Sequence, residues 1–316
     1  MWHGRHGLPE PTASDGLTVV ILTFDEAIHI ERAIASVAGI ATRVLVVDSF
    51  SRDDTVDRAH ALDADVVQHA FVNQARQLQW ALDSCGIDTA WVLRLDADEV
   101  IKPDLARAIA DTLPRLPAGV TGINFKRRHI FMGRWIRHGG RYPLVMLRLW
   151  RNGLGRVEDR WMDEHIAVKS GLTITLDGGF ADINLRDLSW FTDKHNRYAT
   201  REAVERVGRR HALLGKDPGL DRHSASRQAA AKRWIKERFY NKLPFGAGPF
   251  GYFLYRYLIQ LGFLDGRAGL IYHFLQGCWY RFLVEARVVE LEAGIADCAT
   301  PAARRARLAD LTGLRI

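Results

Sequence analysis

The stretch RLDADEVI, residues 94–101, places two carboxylates, Asp96 and Asp98, at i and i+2 directly after an apolar run. Carboxylates so spaced at a strand end can converge on one hard divalent cation, whose other positions are filled by water and phosphate oxygens. An ordinary acidic turn has the same appearance, so the neighbouring loops decide its meaning. Asp48 ends the run RVLVVD and is followed by Ser49, Ser51, Asp53, Asp54 and Thr55. A carboxylate held there can accept hydrogen bonds from a nucleobase edge or ribose hydroxyls, while Ser51 and Asp53 read as caps of the following helix. The segment Thr23, Phe24, Asp25, Glu26 passes from strand to helix without the glycines of GxGxxG or a P-loop, which disfavours dinucleotide and ATP-loop binding. Its backbone can still hold a nucleoside against Asp48.

These acidic positions need elements to carry them. From Leu17 to about Val100 short Val/Ile/Leu runs alternate with helical patterns: LTVVILT, a helix near Glu26–Val37, RVLVVD, a helix near Asp53–Leu62, ADVVQ, a helix near Asn73–Ser84, and AWVLRLD. Continuous apolar strands of this kind are covered on both faces, so the pattern predicts a parallel α/β sheet, and ligands of such sheets bind at the carboxyl ends of the strands. After a helix at Pro103–Leu113, GINFKRR and VMLRLWR read as further strands. Between Lys126 and Arg160 lie ten Lys/Arg and two Asp/Glu, interleaved with Phe131, Trp135 and Tyr142. That composition suits either a solvated basic face or an anion-binding surface.

The chain has 316 residues, 47% hydrophobic and 26% charged, which excludes disordered, collagen-like and disulfide-scaffold classes. Three cysteines, Cys85, Cys278 and Cys298, lack CxxC spacing and point to neither a disulfide framework nor a zinc site, so a reducing, cytoplasmic compartment is expected. The excess of 44 Lys+Arg over 37 Asp+Glu admits nucleic acid, a phospholipid surface or phosphorylated substrates. Residues 1–16 read as a flexible leader without a secretory core. Residues 187–214 are helical in pattern, and Ala229–Glu292 forms a basic, aromatic-rich helical section broken at LPFGAGPFG. Its apolar runs are interrupted by Arg256, Asp265, Arg267 and Arg281, too often for a spanning helix.

Taken in order, a strand ending in T-x-D-E, then VVDSFSRDDT, then NQAR, then LRLDADE, resemble glycosyltransferase family 2. The resemblance covers about residues 17–200, and the section LPFGAGPFGYFLYRYLIQLGFLDGRAGLIYHFLQGCWYRFL is similar to the tail of the bacterial lipopolysaccharide-core glucosyltransferase-like branch. It implies a GT-A fold, a mixed α/β sheet flanked by helices, with a leader at 1–16, a catalytic domain at 17–215 and a helical, membrane-associating region at 216–316. It also implies that Asp48 binds the uracil edge of a UDP-sugar, that Thr23 and Glu26 line the nucleoside pocket, and that Arg76 approaches the base or diphosphate. Asp96 would face ribose or a metal-bound water, and Asp98 would ligate Mg²⁺ or Mn²⁺. In RWMDEHIAV, Asp163 or Glu164 would be the general base for an inverting transfer, Glu164 favoured for its neighbour His165. His195 would reach the diphosphate or metal, with Arg197 and Arg201 as substitutes.

The expected activity is transfer of a sugar from a nucleotide-sugar to a lipid-linked, lipopolysaccharide or exopolysaccharide acceptor at the inner face of the cell membrane. The helix-forming segment AKRWIKERFYNKLP combines five cations with Trp234, Ile235, Phe239 and Tyr240, a composition attracted to anionic lipid. Packing on the catalytic domain or a dimer would use the same residues. Two rivals use the same features differently: a nucleic-acid-binding protein acting through the basic aromatic loop, which lacks any helix-turn-helix, zinc-finger or RNP pattern, and a catalytically silent membrane scaffold of the same fold. A nucleotidylyltransferase is disfavoured by the missing Gly-rich phosphate loop after the first strand.

Overall fold

Val19, Val20, Ile21, Leu45, Val46, Val47, Val92 and Leu93 are fully buried, so the three strands carrying them are covered on both sides as their unbroken apolar composition requires. The structure, a computed structural model, describes residues 14–157, 166–213 and 244–314. Packing divides the chain into two units, the first made of residues up to 137 and 141–185, the second of 138–140 and 186–316.

The first unit is built on β1 (Ser14–Thr23), β2 (Arg43–Asp48), β3 (Asp65–Gln68) and β4 (Thr89–Asp96), all parallel in the order β3-β2-β1-β4. Helices α1 (Ile30–Val37), α2 (Thr55–His60) and α3 (Gln74–Ser84) connect them. The order reverses at β1, the switch point beside which an open α/β sheet takes its ligand. Beyond β4 the sheet turns mixed. It continues antiparallel through β8 (Leu144–Arg151) and β6 (Val120–Phe131), then through β12 (Phe180–Ile183) to the edge strand β5 (Glu99–Ile101). The strands β7 (Arg134–Trp135) and β11 (Leu172–Thr175) also pair with β6, and β9 (Gly155–Val157) with β10 (Ile166–Val168) makes a separate hairpin.

Side-chain alternation puts Val19, Ile21, Val46 and Leu93 on one face against Ile30 and Ile34 of α1 and Leu105 and Ile109 of α4 (Pro103–Thr112). Val20, Leu45, Val47 and Val92 face the other way, against Ala75, Leu78 and Ala81 of α3 and against Trp150. This two-sided core fixes the strand register, because a one-residue slip would exchange the faces of every strand. The register pairs Thr23 with Asp48, Asp48 with Gln68 and Leu22 with Asp96. The predicted parallel sheet is therefore present for four strands, and the mixed continuation is the GT-A, Rossmann-like arrangement.

The second unit is helical. Helix α5 (Leu188–Arg210), capped by Asp187 accepting the Trp190 N–H at 2.8 Å, packs Ala203, Val204 and Val207 against Val288, Leu291 and Ile295 and against Leu308 of Pro301–Thr312. By packing, α5 belongs to the C-terminal helices. His138–Gly140 is held in this unit too. The His138 N–H donates to Asp265 Oδ2 at 2.9 Å, the Gly139 N–H to the Gln260 carbonyl at 2.8 Å, and Arg256 Nε to the Gly139 carbonyl at 2.7 Å. Among the described residues no helix is long and apolar enough to cross a membrane.

Candidate active site

The loop after β1 is held by the loop after β2. Ser51 Oγ accepts the Asp25 N–H at 2.8 Å, Thr55 Oγ1 accepts the Glu26 N–H at 2.8 Å, and Asp53 Oδ2 accepts the Ala27 N–H at 3.1 Å. In return the Arg52 N–H donates to Asp25 Oδ1 at 2.7 Å. Ser51, Asp53 and Thr55, spaced by two, thus fasten three consecutive amides of the other loop, more than the capping role expected of Ser51 and Asp53. Asp25 and Phe50 take positive φ of 53° and 62° within these loops, a backbone form that non-glycine residues adopt only when the surroundings hold them there.

Asp48 is fully buried. Its carboxylate accepts the Thr23 hydroxyl at 3.2 Å, the Ser51 N–H at 2.9 Å, the Gln68 amide at 3.2 Å, and the Ser51 hydroxyl. The carboxylate therefore organises the loops, and a nucleobase reaches it only by displacing one of these donors. Glu26 is ordered similarly. His29, buried, accepts the Leu185 N–H on Nε2 at 2.9 Å, which leaves Nδ1 protonated to donate to the Glu26 carboxylate.

The acidic turn lies at the end of β4, on the same edge. Asp96 accepts Arg94 Nε at 3.1 Å and lies 3.5 Å from Arg148 Nη2, while Arg148 also reaches Glu99 Oε1 at 2.7 Å. Burial opposes ionisation of Asp96, but Arg94, then Arg148 and Arg127, hold its carboxyl well below the usual range. Glu99, deeply buried, accepts the Asp96 N–H at 3.0 Å and is pushed up to about 8, first by desolvation and then by the nearby Asp96 and Asp98 charges, against the pull of Arg148. Sequence patterning did not single out Glu99; its place inside the D-A-D-E run was the available signal. β12 brings Asp182 opposite both Glu99 and His129. Asp182, buried, pairs with Arg127 and accepts His129 Nδ1 at 2.9 Å, and Arg127 and then His129 depress its carboxyl despite burial. Burial lowers His129, so Arg127 is the cation of this group.

These contacts revise the basic loop. Arg127 pairs with Asp182, Arg128 with Asp104, Lys126 with Asp177 at 3.0 Å, and Arg148 with Asp96 and Glu99. Arg151 donates to the Val120 carbonyl at 2.9 Å and stacks over Trp91. Much of the local positive charge is neutralised within the fold, which weakens the case for a nucleic-acid surface.

Asp98 is half-buried, with Oδ2 accepting the Asn184 amide at 3.2 Å and its carbonyl accepting the Ile183 N–H at 2.9 Å. As a hard oxygen donor beside a ligand edge it fits the cation that the family resemblance implies, whereas Asp96 already faces two guanidinium groups. No cluster of three or more His, Cys, Asp or Glu arranged for a metal occurs among the described residues. An Mg²⁺-type ion takes one or two protein carboxylates and completes its shell with water and substrate phosphates.

Arg76 is exposed on α3, where Asn73 caps the helix by accepting the Arg76 N–H at 2.7 Å; its side chain lines a shallow groove with Arg156 and Lys169. Asp163 and Glu164, the expected general-base candidates, lie outside the described residues, as does the basic segment 231–242. His195, expected near the diphosphate or metal, lies on α5 of the helical unit. Its Nδ1 donates to the Phe191 carbonyl at 2.7 Å and its Nε2 meets the Gln276 amide, and the ring packs on Phe191 and Tyr280. Both ring nitrogens are engaged inside the helical unit.

A parallel βαβ core with its first two loops fastened together at the switch point and an acidic turn beside them has the form of a GT-A, Rossmann-like α/β domain. Residues 18–174 match the family model for Glycosyl transferase family 2, and this unit of the chain belongs to that family. An uncharacterized glycosyltransferase of Rickettsia bellii is 43% identical over 89 residues, 28% of this chain and 30% of that protein. An uncharacterized glycosyltransferase of Rickettsia felis is 40% identical over 89 residues, 28% of this chain and 31% of that protein. The chain therefore spans just under a third of the length of these curated relatives. Among solved structures, glucosyl-3-phosphoglycerate synthase of Mycobacterium tuberculosis with Mn²⁺, UDP and glucosyl-3-phosphoglycerate is similar at 22% identity and TM-score 0.31, over 41% of this chain and 50% of that one. A likeness of that extent carries no argument about ligands.

Proposed function

We propose that the protein is an inverting glycosyltransferase that moves a sugar from a UDP-sugar to a lipid-linked or surface-polysaccharide acceptor. The observation that carries this reading is the shared strand-end edge, where register puts Thr23 on the strand next to Asp96 and the turn holding Asp98, with Asp48 one strand further on. Thr23, Glu26 and the fastened loops form the nucleoside side, with Asp48 fixing their shape from beneath. Arg94 and Arg148 hold Asp96 ionised and aimed. Asp98, oriented by Asn184, would hold Mg²⁺ or Mn²⁺, which when bound offsets the charge that develops on the departing nucleoside diphosphate.

In the transfer, the acceptor hydroxyl oxygen forms a bond to the anomeric carbon as the bond from that carbon to the diphosphate oxygen breaks, and UDP leaves. The hydroxyl proton passes to a carboxylate, for which Asp163 and Glu164 are the candidates. A thermal-shift panel of UDP-, GDP-, CMP- and dTDP-sugars with and without Mn²⁺ tests the donor side, because a ligand of the native state stabilises it by mass action. Stabilisation by UDP-sugars that grows with Mn²⁺ is expected. No shift with any donor would refute the reading, and full activity of both Asp163→Ala and Glu164→Ala would remove the base candidates.

A further inference from the structure

Turns between helices on a protein surface are ordinarily built from polar residues and glycine. In the second unit the turn joining Tyr255–Ile259 to Gly262–Asp265 is the reverse. Leu258, Ile259, Leu261, Phe263 and Leu264 are all exposed, Ile259 at 72%. Leu261 moreover takes φ +60°, a conformation in which a leucine is strained and glycine or asparagine is usual. A strained, exposed leucine at the tip of an apolar turn has no folding role that explains it.

Charge selects the occupant. Between residues 244 and 282 the one acidic residue, Asp265, is buried with His138 on it, while Arg267 is exposed. An isologous contact with a second copy would oppose cationic surface to cationic surface. A bilayer containing anionic lipid offers both an apolar layer for the turn and negative headgroups for the exposed Arg267 next to it in sequence.

We infer that the turn Leu258–Leu264 inserts into the interface of an anionic bilayer as a non-spanning apolar tip. This inference is independent of the donor chemistry proposed above. Insertion without spanning agrees with the absence of any membrane-crossing helix among the described residues.

The full chain can be floated with vesicles of phosphatidylcholine alone or of phosphatidylcholine with phosphatidylglycerol, at low and high salt. Ile259→Glu/Leu264→Glu is the test variant. Leu172→Glu, at an exposed apolar position of β11 in the other unit, is the control. The wild type and the control should float with the anionic vesicles at low salt, and the bound fraction of the double variant should fall about tenfold. Thermal unfolding and UDP-sugar binding of each protein, measured in parallel, separate a failed fold or a failed donor reading from failed docking. If two glutamates prevent folding, Ile259→Ser/Leu264→Ser takes their place. Wild type that stays unbound, or a double variant that floats like wild type, overturns the inference. So does a concentration-dependent dimer that the double variant abolishes, which would assign the turn to a second copy.

Discussion

Ser51 takes part in three contacts at once: its hydroxyl and its N–H both donate to Asp48, and its oxygen accepts the Asp25 N–H. Ser51→Ala removes one donor from a buried carboxylate and the acceptor of a loop amide. It should cost about 1–3 kcal/mol in urea denaturation and weaken UDP-sugar binding through the loosened loop. Asp98→Ala should lower metal-dependent turnover by about 10²-fold with little change in melting temperature, a split read by steady-state kinetics beside calorimetry. Asp182 gives a pH signature. Its folded-state pKa lies below the ordinary 3.8, so its contribution is present above that value and is lost as the pH falls through the folded one. The stability gap between wild type and Asp182→Asn should therefore be widest near neutrality and close under acid, as followed by denaturant melts across pH. Glu99 acts in the opposite sense: raised to about 8, it favours the folded state while protonated, and that contribution is lost as the pH rises toward that value.

At the level of elements, β1 to β4 and α1 to α4 were legible because each carries enough residues for its period to show. The three-residue strands β5, β9 and β10 were not, since a pattern of period two needs more length, and their pairing depends on distant partners. β5 matters most among these, for it carries Glu99 and meets β12, which delivers Asp182 from 83 positions later in the chain. The basic run of β6 misled for a related reason: composition counts Arg127 and Arg128 as free charge, whereas tertiary pairing gives each a carboxylate. In the helical unit, Gly139 has φ +66° and a Cβ there would run into the buried His273 ring. Gly139→Ala should destabilise this unit by about 1–3 kcal/mol, measurable as a lowered unfolding midpoint.

For the whole molecule, two units with separate apolar cores predict two calorimetric transitions rather than one. UDP with Mn²⁺ should raise only the transition of the family 2 unit, and a uniform shift of a single transition would contradict that division. The sequence by itself determined the family, the parallel core and the acidic strand ends, because runs of buried aliphatics and short acidic turns are local properties of the chain. Tertiary structure alone decided what those acids do. It buried Asp48 among four donors, tied Asp96 to two arginines, set Glu99 and Asp182 side by side, closed His195 inside the helical unit and left the Leu258–Leu264 turn exposed. Each of these depends on partners far away in sequence, and the state of a charge or an apolar side chain is set by what packs against it.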